Sequence, residues 1–455
     1  MKIDSNLKKI SLLVGDIFVF YAALWLTLLL RYRSTPDSGL WWLHFWPFSY
    51  VFATWIIIFY ISSLYDLRIA VNNARFWQTL SRTLGISFVL AVIFFYLTPQ
   101  IIAPKTNLLL YVLVLAVLFP TWRQLYNWAL ASYLPKNTIG IIGWNEQVKE
   151  LLEEIKSRSH LGYRISFIIN DNESNRPDAE GVEILPQNVN LTELVGQRHI
   201  NTLVFVNNPH ESLELRNTLF ACLPLKINFI NLPLFYESLA GKVPITAISQ
   251  TWFLENLDEG GKFGFDLFKR LYDLVLAAVL LAITSPLWLL IAIGIKLESR
   301  GPVFFIQKRL GRNGTVFNIL KFRTMTVEGN SFAPTAANDK RVTRFGRFLR
   351  KSRLDELPQA INIIKGEMSF VGPRPERPEL VKELEQRVPF YRERMLVNPG
   401  VTGWDQISGE YHSPSYEDTM KKLQYDLFYI KNRSIYLDLS IILKTIYTMA
   451  SRAGQ

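Results

Sequence analysis

Hydrophobic positions along this chain fall into two regimes. Up to about residue 131 they form four long runs, at about 10–30, 45–65, 84–101 and 107–131, each near the ~20 residues that cross ~30 Å of hydrocarbon as a helix. Trp and Tyr stand at their margins, where amphipathic rings suit a lipid–water boundary. From Asn137 the runs shorten. "TIGIIG" (138–143), "RISFIIN" (164–170), "NTLVFV" (201–206) and "KINFIN" (226–231) read as buried parallel strands. Stretches around 146–158, 190–197 and 211–222 read as the helices between them, the alternation of a doubly wound sheet. A fifth long apolar segment, 271–297, follows a linker carrying Gly260, Gly261 and Gly264. The pattern predicts a membrane α-helical bundle of four transmembrane helices over 1–135 and a Rossmann-like α/β domain over 136–258. A mixed α/β domain over 262–455 completes it.

Charge orients the bundle. Lys2, Lys8 and Lys9 precede the first run, Arg68, Arg75 and Arg82 separate the second from the third, and Arg123 and Lys136 flank the end of the fourth. The other two loops hold Arg31 and Arg33, and Lys105. Positive charge collects on the cytoplasmic side, so both ends of the bundle are expected there, with everything after residue 135. No small-residue cleavage site follows the first run, which reads Leu30-Arg31-Tyr32. The formal charge of +11 points to anionic partners: nucleic acid, anionic lipid or phosphorylated substrates. Because the basic residues flank membrane segments, nucleic acid is the poorest fit. The single cysteine, Cys222, forms no internal disulfide, and five scattered histidines lack zinc-site spacing.

In the middle domain, Gly140 and Gly143 sit at the first strand-to-helix turn, where a phosphate could dock. "GIIGWNEQV" is not the dinucleotide fingerprint, and Trp144 stands where close backbone approach would be needed. Asp171 could reach a ribose, or serve only the turn. A scaffold or sensor is the favoured reading.

In the fifth apolar run Ser285-Pro286 lies near the centre. Proline removes a helical hydrogen bond there, while Ser285 can bond the freed backbone. A spanning helix would carry the Lys- and Arg-rich remainder to the outer face, so a re-entrant helix over 271–297 is expected, bent at Ser285-Pro286. Lys269, Arg270, Lys296 and Arg300 would then face one layer of lipid phosphates.

Next come two strand-like runs flanking Gly311 and Gly314, with Gln307, Arg309, Lys321 and Arg323 as candidates to line an anion pocket. "LRKSRLDELPQAINIIKG" (349–366) then sets Asp355 and Glu356 behind Arg350, Lys351 and Arg353. Pro358 suits a first helical turn and Gly366 a C-terminal cap, so the acids lie at or just before a helix N-terminus. A capping Asp with an exposed Glu is the bland alternative. "GPRPE" follows, its prolines stiffening the chain around Arg374; Arg392, Arg394 and the loop "NPGVTGW" come later. Rigid arginine loops around a carboxylate suit phosphoryl transfer.

Residues 262–455 resemble the bacterial sugar transferase family, the monotopic phosphoglycosyl transferases. The likeness rests on "KRLYD" (269–273), the Ser285-Pro286 break, "GPVFFIQKRLG" (301–311), "KFRTM" (321–325), "LRKSRLDELPQ" (349–359), "MSFVGPRP" (368–375) and "NPGVTGW" (398–404). With the bundle and the α/β domain, the chain is similar to the large members that begin capsule, exopolysaccharide or O-antigen synthesis. Asp405 and Glu410 depart from the usual pattern. The resemblance implies transfer of hexose-1-phosphate from a UDP-sugar to undecaprenyl (polyprenyl) phosphate, with release of UMP. Asp355 would be the nucleophile and a ligand of Mg2+, and Glu356 would orient the acceptor phosphate or accept its proton. Arg350 and Arg374 would clamp phosphates, with Lys321 and Arg323 as lesser candidates. The bacterial inner membrane is the implied location, with the catalytic domain on the cytoplasmic face, in contact with membrane lipids and open to homo-oligomer formation. Two alternatives remain: a membrane-bound nucleotide-sugar dehydratase and a non-catalytic scaffold. Against the first, none of the nineteen tyrosines has lysine four positions on.

Overall fold

The computed structural model describes residues 5–62, 64–65, 72, 74–97, 105–132, 137–157, 162–170, 181–207, 209, 212–257, 260–326, 339, 341–408 and 415–450. Asp171 and Glu410 lie outside the described residues. The chain divides into two compact units, Met1–Asn231 and Leu232–Gln455.

The first unit opens with α1 (Ser5–Tyr32), α2 (Ser38–Ile61), α3 (Ala74–Leu97) and α4 (Lys105–Ser132). All four are long and apolar enough to cross a membrane. Their shared core is aromatic: Phe20 stacks on Phe52 and Phe119 at 5.2 and 5.6 Å, and Trp55 and Tyr111 close around them. α3 begins ten residues before the apolar run expected at 84–101. Phe76, Leu80, Thr83 and Ser87 are buried on one face, while Gln78, Ser81 and Arg82 are exposed on the other. An amphipathic opening of this kind lowers mean hydropathy without ending the helix. One ion pair is fully buried: Arg123 donates to Asp16 Oδ2 at 2.5 Å and to the Leu64 carbonyl at 2.8 Å, while Trp122 Nε1 donates to Asp16 Oδ1 at 3.0 Å.

The same unit carries a parallel sheet of β1 (Asn137–Ile142), β2 (Tyr163–Ile169), β3 (Glu183–Leu185), β4 (Thr202–Phe205) and β5 (Asn228–Asn231), in the order β3-β2-β1-β4-β5. Helices α5 (Glu146–Ser157), α6 (Leu191–Gln197) and α7 (Leu213–Ala221) make the crossovers. Four strands match the expected ones. β3 was not expected, because three residues carry too little pattern to read.

The second unit begins with α8 (Leu232–Ala240) and α9 (Gln250–Asn256). Val243, Ile245 and Trp252, which the sequence places at the tail of the α/β domain, are buried here with Val371, Leu427 and Ile441. Glu237 ties the segment down, accepting from Lys431 Nζ and Asn432 Nδ2, each at 2.7 Å.

The expected glycine linker is instead a 3-10 turn, Gly260–Lys262, running into α10 (Phe263–Glu298), so Gly264 is helical. α10 continues as helix through Ser285-Pro286 for 36 residues, with the Ser285 hydroxyl bonded to the Ala282 carbonyl. Before the proline, Arg270 donates to the carbonyls of Ile363 and Ile364, Asp273 accepts from Phe370 N, and Ala277 packs with Ile363 and Met368. After it, Ile291 and Ile295 pack with Phe322 and Leu349. Glu298 then accepts from Phe345 N at 2.8 Å. Both ends of this apolar helix are thus fastened within the second unit, in two neighbouring clusters, with Ile283, Leu289 and Leu290 exposed between them.

The remainder is an antiparallel hairpin of β6 (Phe304–Leu310) and β7 (Val316–Phe322), then α11 (Arg344–Lys351), α12 (Gln359–Lys365), β8 (Ser369–Val371), α13 (Pro378–Arg387), β9 (Gly400–Thr402), α14 (Tyr416–Asn432) and α15 (Ile435–Ala450). β8 and β9 pair in parallel, with no room for a side chain at Gly400 of β9 or at Gly372 just after β8. A Cβ on Gly372 would lie 2.3 Å from the Asn398 carbonyl oxygen, and one on Gly400 2.2 Å from Gly372 N.

Candidate active site

α11 ends at Lys351 with Ser352 as its cap, and Arg353 turns the chain with a left-handed φ of 58°. A 3-10 turn, Leu354–Glu356, follows, and Pro358 caps the start of α12. Apolar anchors fix this corner. Leu354 and Leu357 pack against the cluster of Ile291, Ile295, Phe322 and Leu349, while Ala360 and Ile363 enter the neighbouring one. With the leucines committed to the core, the two acids between them go where the corner sends them, and Asp355 is left only 8% exposed. Gly366 closes α12 at φ 85°, as its position in the sequence predicts.

The two acids are treated differently. Glu356 Oε1 accepts from Lys321 Nζ at 2.9 Å and Arg374 NH2 at 3.1 Å, with Arg353 at 3.8 Å. Burial works against the Glu356 charge, but Arg374 and Lys321 outweigh it and hold the carboxyl down to about 2. Asp355 Oδ1 is buried with no hydrogen-bond partner. Burial first, and the Glu356 charge second, push the Asp355 carboxyl up to about 6, against the pull of Lys321, Arg350 and Arg353. One acid is a fixed anion that aligns two cations, and the other is an unengaged oxygen set among positive charge. Neighbouring carboxylates with separated pKa values mark two distinct jobs.

The supporting frame is built from the chain around the pair. Asn362 joins β7 to α12, donating to the Asn318 carbonyl at 2.8 Å and accepting from Leu320 N at 3.0 Å, which sets the strand that carries Lys321. Arg350 Nε donates to Thr324 Oγ1 at 2.8 Å, and the Asp355 charge acts on this guanidinium. Arg374 sits on a loop whose four consecutive carbonyls are each held. Pro373 O accepts from Gly400 N, Arg374 O from Arg394 NH2 (3.0 Å), Pro375 O from Arg309 NH1 (3.0 Å) and Glu376 O from Leu310 N. Arg394 is itself held by buried Asp426 at 2.8 Å and by the Tyr391 hydroxyl at 2.7 Å. The Arg374 side chain remains 41% exposed.

Of the residues singled out in the sequence, Asp355, Glu356, Lys321, Arg350 and Arg374 come together. Arg323 does not: it donates to Ser299 O, Ser299 Oγ and Arg300 O, satisfying the end of α10. Gln307 and Arg309 bond each other at 2.7 Å and brace the Arg374 loop. Sequence reading missed Thr324, Asn362 and Asp426. Asn362 within "AINII" and Asp426 within "LQYDLFYI" were visible as polar residues in apolar helical surroundings.

Among the described residues no group of three or more His, Cys, Asp or Glu could hold a metal by itself. Mg2+ asks for less, binding through one or two carboxylates plus substrate phosphates and water. The unpartnered Asp355 Oδ1 is a hard oxygen donor of the right kind.

Residues 265–452 match the family described as bacterial sugar transferase, and residues 60–233 match one described as CoA-binding domain. Over 220 residues the chain is 40% identical to a UDP-N-acetylgalactosamine-undecaprenyl-phosphate N-acetylgalactosaminephosphotransferase of Aeromonas hydrophila, covering 48% of this chain and 51% of that protein. It is 44% identical to a UDP-glucose:undecaprenyl-phosphate glucose-1-phosphate transferase of Xanthomonas campestris pv. campestris, covering 42% and 41%. The match to a protein of the same description from Caulobacter vibrioides is 43% identical and covers 40% and 69%. The chain therefore spans about half the length, or less, of the first two relatives.

The first strand-to-helix turn of the middle domain does not fit the pyrophosphate of a CoA-like ligand. Gly143 N donates to Ile169 O, and the α5 N-terminus is occupied by Asn145 Oδ1, which accepts from Val148 N at 3.0 Å. Glu146 adds negative charge to that first turn. Gly140 serves internal packing, since a Cβ there would meet the Phe167 ring at 2.5 Å.

Proposed function

The chain belongs to the bacterial sugar transferase family, and from that premise we propose that it transfers a hexose-1-phosphate from a UDP-sugar to polyprenyl phosphate. The observation that carries the reading is the Asp355 carboxylate, buried, unpartnered at Oδ1 and surrounded by Lys321, Arg350 and Arg353. Membership in this family leaves the dehydratase alternative without support, and the intact acid pair with its ordered cations speaks against a decayed scaffold.

In the first step an Asp355 oxygen attacks the phosphorus that bears the sugar. The bond from that phosphorus to the bridging oxygen breaks, UMP leaves with the bonding electrons, and the phosphosugar remains on Asp355. In the second, an oxygen of polyprenyl phosphate attacks the same phosphorus and the aspartyl oxygen leaves, restoring the carboxylate. Two steps let a soluble nucleotide and a lipid use one site in turn. Arg374 and Lys321 lie where a phosphoryl group would share them with Glu356, and a planar guanidinium suits two phosphate oxygens. Arg350, braced on Thr324, places a further cation beside Asp355. Glu356, held near 2, is a poor proton acceptor; its place is to orient Lys321 and Arg374, and a polyprenyl phosphate dianion needs no base. Mg2+ held by Asp355 and the donor's phosphates would neutralise diphosphate charge.

Both ends of α10 are fastened to residues of the same unit, which supports a re-entrant course with both flanks on the cytoplasmic face of the inner membrane. On this reading α1–α4 are the four spanning helices. The test is to incubate membranes with a panel of UDP-hexoses, measure UMP, and seek a hexose-phosphate adduct on Asp355 by mass spectrometry. UMP release with no adduct on that side chain in trapped reactions would refute the covalent route.

A further inference from the structure

The strongest feature that the proposed reaction does not use is the outer face of α11. Its inner face is fixed by close packing. A Cβ on Gly346 would lie 2.1 Å from the Thr324 carbonyl oxygen, and Leu349 is fully buried. Phe345 lies over Gly294 of α10, where a Cβ would be 2.6 Å from its ring. The helix N-terminus is doubly satisfied: Thr343 caps Gly346 N at 2.9 Å, and Glu298, the last residue of α10, accepts from Phe345 N. α11 therefore cannot roll, and its opposite face is set.

That face carries Arg344, Arg347, Phe348 and Lys351, all exposed and spaced three and four residues apart, so they form one stripe. Phe348 stacks on Phe345 at 6.0 Å yet remains 56% exposed, an apolar ring with three cations on the same stripe. Among the described residues none of these cations has a carboxylate partner, in contrast to Lys321, Arg353 and Arg374 nearby in sequence or space. Lys296 and Arg300, exposed at the end of α10, extend the positive charge towards the helix that Glu298 binds. Solvation alone explains scattered surface cations, but it does not explain an exposed phenylalanine at the centre of an unpaired cationic stripe. An interfacial helix has this composition, with long cations reaching phosphates and an aromatic ring at the acyl boundary.

We propose that the Arg344–Arg347–Phe348–Lys351 stripe is a binding surface for the phosphodiester headgroups of anionic phospholipids. It docks the catalytic corner against the bilayer at the end of α10. This rests on the membrane course of α10 given above. Its consequence is a lipid requirement: α11 leads directly into the Arg353 turn, so seating the helix on anionic headgroups steadies the corner that carries Asp355. None of the four residues belongs to the group that faces the acids.

The test uses the full chain in nanodiscs of equimolar phosphatidylglycerol and phosphatidylcholine, reading the lipids retained on the protein by native mass spectrometry. Each exposed Lys or Arg near an anionic surface favours it by about fivefold. Wild type should retain phosphatidylglycerol over phosphatidylcholine by several fold, and Arg344→Gln/Arg347→Gln/Lys351→Gln should bring the ratio close to one. The charge-preserving Arg344→Lys/Arg347→Lys variant should keep the preference. In the same discs, a dye on Leu290→Cys, in a Cys222→Ser background, should be quenched by brominated acyl chains. A quenched probe with an unchanged lipid ratio in the Gln variant overturns the α11 surface while leaving the course of α10 standing. An unquenched probe overturns both. Loss of the preference on adding inorganic phosphate at constant ionic strength would assign the stripe to a soluble phosphate ligand and overturn the lipid reading.

Discussion

Two buried acids in this protein live under opposite rules. Asp16, in the helical bundle, has both oxygens taken, by Arg123 and Trp122, and the guanidinium is roofed by Tyr65 and Phe119 at 5.3 and 5.2 Å. Asp355 is nearly as buried but keeps one oxygen without a partner, although cations surround it. The first arrangement engages both oxygens of the buried carboxylate and ties α1 to α4. The second leaves a charge deliberately unfinished, and an unfinished buried carboxylate is a place for an incoming group. Between these two carboxylates, satisfaction of the oxygens is the difference, since both are buried and both lie near cations.

The comparison breaks most visibly at Asp355. Asp355→Asn should lower UMP release from a UDP-sugar by about 10⁴-fold, as loss of a covalent nucleophile does, while the thermal midpoint of the second unit does not fall. A large drop in that midpoint would make Asp355 a structural acid like Asp16. Asp16→Asn should do the reverse. Leaving Arg123 buried without its anion should cost about 3–5 kcal/mol, seen as unfolding of the bundle at lower denaturant in detergent micelles. Protein that survives reconstitution should turn over donor at the wild-type rate.

Arg374→Lys should reduce kcat/KM by about 100-fold if, as proposed, a point charge there replaces a planar fork shared between Glu356 and the donor; steady-state kinetics on UDP-sugar reads it. Arg394→Lys should have a smaller effect, about 10-fold and mainly in kcat. It loosens the carbonyl of Arg374 without removing any group that touches substrate. Equal losses in Arg394→Lys and Arg374→Lys would mean that the two arginines act on substrate alike.

Much of this was legible because it depends on local pattern. The four bundle helices, four strands of the sheet, the hairpin and the corner between Pro358 and Gly366 all follow from periodicity and from residues with fixed backbone preferences. The acid pair was legible for the same reason, since a corner announces itself by Pro and Gly. Aim was not legible. Lys321 and Arg323 are two residues apart on one strand, yet Lys321 reaches Glu356 while Arg323 turns to the carbonyls that end α10. A sequence gives both the same charge. The packing of Val243 and Trp252 into the C-terminal core was equally hidden, because membership of a core is a long-range property that no local signal carries. Ser285-Pro286 shows a third limit. The dipeptide marks where a bend is expected, and helical hydrogen bonding continues through it, but the anchors at the two flanks, Arg270 and Glu298, lie far from the proline and carry no local signal.

Three bonds that secure α10 are made inside Leu232–Gln455: Arg270 to α12, Asp273 to the strand before Gly372, Glu298 to α11. On the proposed re-entrant course, that half of the chain carries its own mooring. A module so equipped would be portable, able to be joined to different partners without losing its hold on the lipid sheet.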